Sequence, residues 1–356
     1  FIYTMLNLYF KPTEVNSFNR KYLVDVLKPL LPVKNLEKYG IYKEYLTIVN
    51  KPEESDFYIL PFSWNYYSKF KKKTQAIDVI IESANSNKKI IIWVSGDYFI
   101  KLPKYDNILA MYNSLYRSMT HDNIISLPSI INDPLIFIKL DNLDLRSYAD
   151  IPSVGFCGQV DRNYSFTLLK IIRNSWHLVL FYSGLSNLYS GPIFPATTLR
   201  KNILAYIEKS DLINSIIIRR IKYKGGKIKD LTYQNRVKKE FFQNICETDY
   251  TLGIRGTGNF STRFYETPAL GRIPIFVNTD CILPFEDEIN WKEHVVWVEE
   301  NELSDIGIKI SDFHNSLDKV NFKQLQLKNR LLWEKYFSFP GFINKLVLHL
   351  NKKLNS

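Results

Sequence analysis

The sequence predicts an α/β protein built on parallel sheets, and three observations carry that prediction. Continuous apolar runs of strand length occur at Lys88 to Val94, Tyr250 to Ile254 and Ile273 to Val277; strands buried on both faces need such runs. Amphipathic helical stretches separate them, as in Thr197 to Ser210, where Leu199, Ile203, Tyr206 and Ile207 share one stripe. The segment Asp249 to Phe285 reads as strand, glycine-punctuated loop, short helix closed by Gly271, and strand, which is a βαβ unit. A chain of 356 residues has room for two such domains.

From the beginning of the chain, Ile2 to Phe10 reads as an opening strand and Asn16 to Leu31 as a helix-like stretch. Glu54 to Phe62 holds a strand ending at Pro61, and Trp64 to Ser83 has helical periodicity. The run Lys88 to Val94 ends at Ser95-Gly96-Asp97, so Asp97 sits where open α/β sheets bind ligands, at a strand's carboxyl end. The polar stretch Leu140 to Pro152 marks a boundary, giving a first domain over 1–150 and a second over 151–320. The second opens with a strand from Val154, a helix from Asn163 to Asn174 and a strand from Leu178 to Tyr182. Asn214 to Arg220 is a strand ending in two arginines, followed by a flexible GGK turn; Tyr233 to Cys246 is a helix. His294 to Glu299 is a last strand, with helices over 301–315, 321–336 and 342–350.

Charge and composition narrow the function. The formal charge is +11, with basic runs at Lys69 to Lys73, Arg219 to Lys229 and Arg236 to Lys239. Phosphorylated ligands or an anionic membrane face suit that balance. No recognition helix, RNA-binding sheet signature or zinc module accompanies it, so nucleic acid is not expected. Three cysteines, Cys157, Cys246 and Cys281, are too few and too scattered for a disulfide framework or a metal pair, and fit a reducing, cytoplasmic setting. The chain shows neither an apolar run of membrane-spanning length nor a signal peptide.

The glycine loop holds the densest chemistry. Gly256 and Gly258 let backbone approach a ligand closely, and the Ser261-Thr262 pair can cap the following helix, whose amino end favours phosphate. Arg255 and Arg263 flank the loop; Arg263 and Glu266 are three apart and share a helix face. The arginine can fork onto phosphate oxygens while the carboxylate accepts from ribose hydroxyls. The same spacing also suits an ordinary surface ion pair. Glu286, Asp287 and Glu288 form an acidic triplet better read as solvated than as a metal site.

At this point the sequence resembles a family. RGTGNFSTRFYETPALGRIPIFV, followed by NTDCILPFEDEINW, is similar to the carboxy-terminal signature of exostosin-type glycosyltransferases, with its Gly-Asn-Phe-Ser loop, Arg-Phe-Tyr-Glu helix and Gly-x-Ile-Pro strand. Val154 to Val160 and the strand before Pro61 resemble shorter pieces of the same pattern. The resemblance implies a GT-B architecture of two Rossmann-like domains facing a cleft, the last helices (321–356) crossing back to the first. It implies an inverting transfer from a nucleotide-sugar, usually a UDP-sugar, to a glycan acceptor that could be lipid-linked or a surface polysaccharide. No cofactor and no metal are implied. The diphosphate would then lie on Arg255, Gly256, Gly258, Asn259, Ser261 and Arg263, with Glu266 on the ribose. Gly158, Gln159 and Arg162 would face the donor, Arg219 or Arg220 would reach the diphosphate, and Arg200 stands where bacterial members carry an arginine. Asp97 aligns with the family's His-Asp-x-Gly element, although Gly96 replaces the His and Phe99 the Gly. It is the first candidate for the base that takes the acceptor proton; a turn-capping Asp is the alternative. Glu53, Glu54, Asp56 and His121 are weaker candidates. A fucosyltransferase-like enzyme with a GDP-sugar and a catalytically inactive glycan-binding subunit are the competing readings.

Overall fold

The computed structural model describes residues 5–11, 14–31, 34–41, 45–120, 123–160, 164–221 and 230–354. His121, Arg162 and the GGK turn lie outside them. The strands are β1 (Leu6–Tyr9), β2 (Leu46–Ile48), β3 (Phe57–Ile59), β4 (Ile90–Val94), β5 (Phe99–Ile100), β6 (Ile108–Tyr112) and β7 (Ile124–Ser126) in the first part of the chain. There follow β8 (Ser153–Gln159), β9 (Leu188–Tyr189), β10 (Asn214–Arg220), β11 (Tyr250–Gly253), β12 (Ile273–Asn278) and β13 (Val296–Glu299). The helices are α1 (Trp64–Lys69), α2 (Lys73–Asn85), α3 (Pro134–Ile138), α4 (Tyr164–Tyr182), α5 (Ala196–Glu208), α6 (Leu231–Cys246), α7 (Thr262–Ala269), α8 (Ile306–Asn315), α9 (Lys319–Tyr336) and α10 (Phe339–Leu354).

Two parallel sheets result, as the α/β prediction requires. One runs β2-β1-β3-β4-β6-β7, the other β10-β8-β11-β12-β13, and every pairing within them is parallel. This is the GT-B pattern of two Rossmann-like sheets. The central strands β4, β6 and β11 are buried at every position, which explains their unbroken apolar runs. The second sheet packs with helices at close range. A Cβ on Gly155 of β8 would sit 2.4 Å from Thr248 Oγ1 and 3.0 Å from Asn244 O, so α6 lies where a larger residue would push it off. Helix α10 returns to the first sheet: the rings of Phe342 and Trp93 are 6.4 Å apart, edge to face.

Two local expectations fail for identifiable reasons. Leu178 to Tyr182 is the end of the 19-residue helix α4, not a strand. An apolar run that short carries no period of its own. Residues 16–31 form only 3-10 turns at Arg20–Tyr22 and Asp25–Leu27, because Val24 N donates to Pro61 O (3.0 Å) and ties the segment to the end of β3 instead of to itself.

Candidate active site at the switch point

In the second sheet the strand order is 2-1-3-4-5, so the chain leaves β8 toward one edge and β11 toward the other. Ligands of open α/β sheets bind at the crevice this reversal opens at the carboxyl ends. Here that crevice is bounded by Gly158 and Gln159 on one side and Ile254 to Gly258 on the other. Arg200 of α5 spans it: Nη1 donates to Gln159 O (3.3 Å) and Nη2 to Arg255 O (2.9 Å). The glycine loop closes on itself through Gly256 N to Phe260 O (3.0 Å). Arg263, in the first turn of α7, passes beneath the loop, donating to Leu252 O (3.1 Å) and Cys157 O, with its guanidinium 4.5 Å from the Phe156 ring. Gly158 makes the room, because a Cβ there would lie 2.9 Å from Arg263 Nη2.

Arg255 is buried, its contacts to Phe194 O (3.4 Å) and Gly256 O (3.5 Å) are long, and its Nε finds no hydrogen-bond partner among the described residues. Three hydroxyl groups are also buried without a partner among the described residues: those of Tyr116 and of Ser190, which precedes Gly191, and that of Thr198 on α5. The Tyr116 ring packs edge-on against Tyr189, 4.9 Å away, and a Cβ on Gly191 would approach Tyr116 Oη to 3.1 Å and Thr257 O to 3.8 Å. Gly191 itself has φ +96°, a conformation that side-chain-bearing residues rarely adopt. Burial pushes the Tyr116 phenol well up, against the opposing pull of Arg255, so at neutral pH it remains a donor. Buried polar groups are almost always hydrogen-bonded, and these donors suit water or a ligand seated at the loop. Arg255 offers an N–H and the three hydroxyls each an O–H, so the fitting ligand is rich in acceptors.

The two sheets meet at this loop. A Cβ on Gly258 would lie 2.8 Å from Asp97 O and 2.9 Å from Asp97 Cα, which brings the turn after β4 directly against the glycine loop. That turn needs Gly96 at φ +94° and is held by Ser95 N donating to Asn65 Oδ1 (2.9 Å). Asp97 is exposed, yet crowding by the surrounding protein holds its carboxyl above the usual aspartate range. Two residues on, β5 pairs antiparallel with β9, a two-stranded bridge between the halves of the chain. Beside it, Asn259 N donates to Ser114 Oγ (2.9 Å) and its side-chain amide to Leu115 O (2.8 Å) and Thr279 O (3.0 Å), while Thr279 Oγ1 donates back to its Oδ1 (2.7 Å). Arg117 forks onto Glu286 at 3.0 and 2.7 Å. A cavity of about 20 Å³ lined by Arg255, Asn259, Ser261, Phe264 and Thr279 has room for a single water.

The structure thus gathers Asp97, Arg255, Gly256, Gly258 and Arg263, with Gly158 and Arg200, at one place. Ser261 is the residue preceding α7, with no side-chain cap bond, and Glu266 lies half-buried one turn after Arg263. Other expectations are redirected. The side chain of Asn259 is spent on the junction rather than turned to a diphosphate. Arg219 pairs with Glu208 and Arg220 with Glu240 (2.5 Å), so both guanidiniums on edge strand β10 already have carboxylates. Glu53 and Glu54 form a turn ahead of β3, and Asp56 accepts from Asn7 N (2.7 Å); these acids sit at the amino ends of the strands, opposite the crevice. Glu288 is clamped by Lys345 (2.6 Å) and Lys352 (3.0 Å), and among the described residues no three metal-ligating side chains cluster. Tyr116, Ser190 and Thr198 have no signal in the sequence, since isolated hydroxyl residues are everywhere.

With this geometry in place, comparison with known proteins adds the following. Residues 197–311 match the model of the exostosin GT47 domain. Exostosin-1 of Drosophila melanogaster is 33% identical over 103 residues, 29% of this chain and 13% of that protein. Exostosin-1 of Mus musculus is 30% identical over 111 residues, 31% of this chain and 14% of that protein. The matched stretch is therefore a small part of either relative. Among solved structures, a glycosyltransferase from Rickettsia africae aligns over 99% of both chains at 13% identity with a TM-score of 0.40. The Anabaena protein HepE, in complex with UDP and glucose, aligns over 99% of this chain and all of that one at 10% identity and a TM-score of 0.35. Likenesses that weak add nothing to the architecture read from the two sheets themselves. The matched residues include most of α5, the glycine loop and α7, so the similarity to the exostosin GT47 domain falls on the part of the second sheet's crevice that carries Arg200, Arg255 and Arg263.

Proposed function

We propose that the chain transfers a sugar, with inversion, from a nucleoside diphosphate-sugar to a hydroxyl of a glycan acceptor, and that the nucleoside is uridine, the family's usual choice. The observation that carries this reading is the group of unpartnered donors about the glycine loop: Arg255 Nε, the Tyr116 hydroxyl near it, and the hydroxyl of Ser190, next to Gly191, which faces Thr257 of the loop. A diphosphate is the acceptor-rich group that would satisfy them at a switch point. In the reaction the acceptor oxygen bonds to the anomeric carbon, the bond from that carbon to the diphosphate oxygen breaks, and the bonding pair leaves with the nucleoside diphosphate. Arg255, supported by Arg200 and Arg263, would neutralise the growing charge, the role a metal ion plays in other transferases. Asp97 takes the acceptor proton; its raised pKa makes it a stronger base than an ordinary aspartate. Glu266 holds the ribose. On this reading residues 1–150 present the acceptor and 151–320 the donor, with the helices of 321–356 bracing the first part.

The test is turnover of a panel of UDP-sugars with oligosaccharide acceptors, with and without a divalent chelator. Turnover of one donor, a product of inverted anomeric configuration, and a loss of about 10²-fold or more in kcat for Asp97→Asn with UDP affinity retained support the proposal. Retained configuration, or full activity in Asp97→Asn, removes Asp97 and the inverting route. Nucleotide binding without turnover of any donor points to an inactive glycan-binding subunit.

A further inference from the structure

Helix α4 carries a feature that sugar transfer does not use. Leu168, Leu169, Ile172, Trp176, Val179 and Tyr182 are each between 58% and 72% exposed. At 100° per residue they fall within an arc of about 140° on one side of the helix. The opposite side is the packed one: Asn174 is buried, and Leu178 and Phe181 pack against the first sheet's core. By the same periodicity Arg173 lies next to the apolar ridge, with His177 and Lys170 further round toward the packed side. From residue 162 to residue 207 the sequence contains no Asp or Glu. Helix α4 therefore shows solvent a ridge of large apolar side chains about 21 Å long, with Arg173 at its edge and no local carboxylates. Contiguous exposed apolar surface of this kind marks an interaction site.

We infer that this face of α4 lies in the plane of an anionic lipid bilayer, with the apolar ridge at the boundary between headgroups and acyl chains. An in-plane helix needs large apolar and aromatic residues on one side with cationic groups beside them, and anionic lipid complements both the acid-free stretch and the chain's +11 charge. No described helix is long and apolar enough to cross a membrane, so the contact is one of surface docking. The docked face adjoins the crevice. Asn174 Nδ2 donates to Pro192 O (3.3 Å) and Ile193 O (3.1 Å), and the next residue, Phe194, accepts from Arg255. Ile193 and Phe194 are themselves exposed, which extends the apolar surface toward the glycine loop. The inference stands on the surface of α4 and does not depend on which sugar, if any, is transferred.

The experiment is co-sedimentation with phosphatidylcholine vesicles, with and without phosphatidylglycerol, for wild type, Trp176→Glu and Ile172→Glu, with light scattering on each free protein. Wild type is expected to pellet with the anionic vesicles and far less with phosphatidylcholine alone. Each variant should bind about tenfold more weakly or worse, because one large buried side chain is lost. Unchanged circular dichroism and nucleotide affinity keep this result separate from misfolding and from failure of the transferase reading. Absence of binding to anionic vesicles, or binding unchanged in both variants, overturns the inference. So does a wild-type dimer that Trp176→Glu dissociates, which would give the ridge to a second copy of the chain.

Discussion

Replacing Gly258 by alanine probes the meeting of the glycine loop and the Asp97 turn with the smallest possible change. The added Cβ would stand 2.7 Å from Phe260 Cε1, 2.8 Å from Asp97 O and 2.9 Å from Asp97 Cα. The two Asp97 atoms are backbone, so they cannot rotate aside, and relief requires one loop to shift by roughly half an ångström. Gly258 is not among the residues with positive φ, so the cost is steric alone. Overpacking of this kind costs about 1–3 kcal/mol. The shift also moves Asp97 relative to the donor crevice, and a misplacement of that size lowers turnover by about tenfold or more. Gly256→Ala is the internal control: its Cβ meets nothing closer than 3.9 Å, so stability should stay within about 0.5 kcal/mol of wild type. Denaturant unfolding and steady-state kinetics on both variants decide the matter. A Gly258→Ala protein with wild-type stability and wild-type kcat would refute the close approach.

Three further outcomes follow from the same contacts. Asn259→Ala strips the junction of its bonds to Leu115, Thr279 and Asp280 and leaves the Thr279 hydroxyl without its acceptor; a loss of about 2–3 kcal/mol in urea unfolding is expected, and none would show the stitch to be idle. For Glu288, burial pushes the carboxyl up, but the hydrogen bonds from Lys345 and Lys352 more than reverse this and bring its pKa down from 4.5 to about 2. A depressed carboxylate stabilises the fold above its unfolded value, and that contribution fades as pH falls from about 4.5 to about 2. The stability gap between wild type and Glu288→Gln, at most about 3 kcal/mol near neutrality, should close over that window, and a pH-independent gap would contradict the clamp. For Asp97, crowding raises the carboxyl, so the acid limb of kcat/KM should lie above the ordinary aspartate range and vanish in Asp97→Asn; an acid limb that persists in the variant belongs to another group.

How much of this could be read from the chain itself depends on the length scale of each signal. Strands β4, β11 and β12 were legible because burial on both faces leaves an uninterrupted apolar run. The segment 178–182 was misread for the same reason in reverse: Leu-Val-Leu-Phe-Tyr is as apolar as a strand, and only the 19-residue context, with its solvent-facing ridge, shows a helix. The glycine loop stood out in the sequence because two glycines and two flanking arginines fall within nine residues, and the structure sets it at the switch point of the second sheet. What could not be read was long-range pairing. Nothing near Arg219 or Arg220 announces Glu208 and Glu240 as partners, and nothing in Asn259 announces that its amide is spent on Leu115 and Thr279. The unpartnered hydroxyls of Tyr116 and Ser190 carry no signal in the sequence either, since only the fold sets Tyr116 near Arg255.

The central claim is that Arg255 anchors the diphosphate of a nucleotide-sugar at the switch point of the second sheet. Calorimetric titration of UDP, with GDP and CMP as comparators and EDTA present, into wild type and Arg255→Ala tests it most directly. UDP should bind wild type in preference to the other two and lose at least about tenfold in affinity in the variant, the loss expected when a charge-assisted contact is removed. Preference for GDP would transfer the account to a guanosine donor. UDP binding undiminished in Arg255→Ala, or absence of binding by any of the three nucleotides to the wild-type chain, would contradict it.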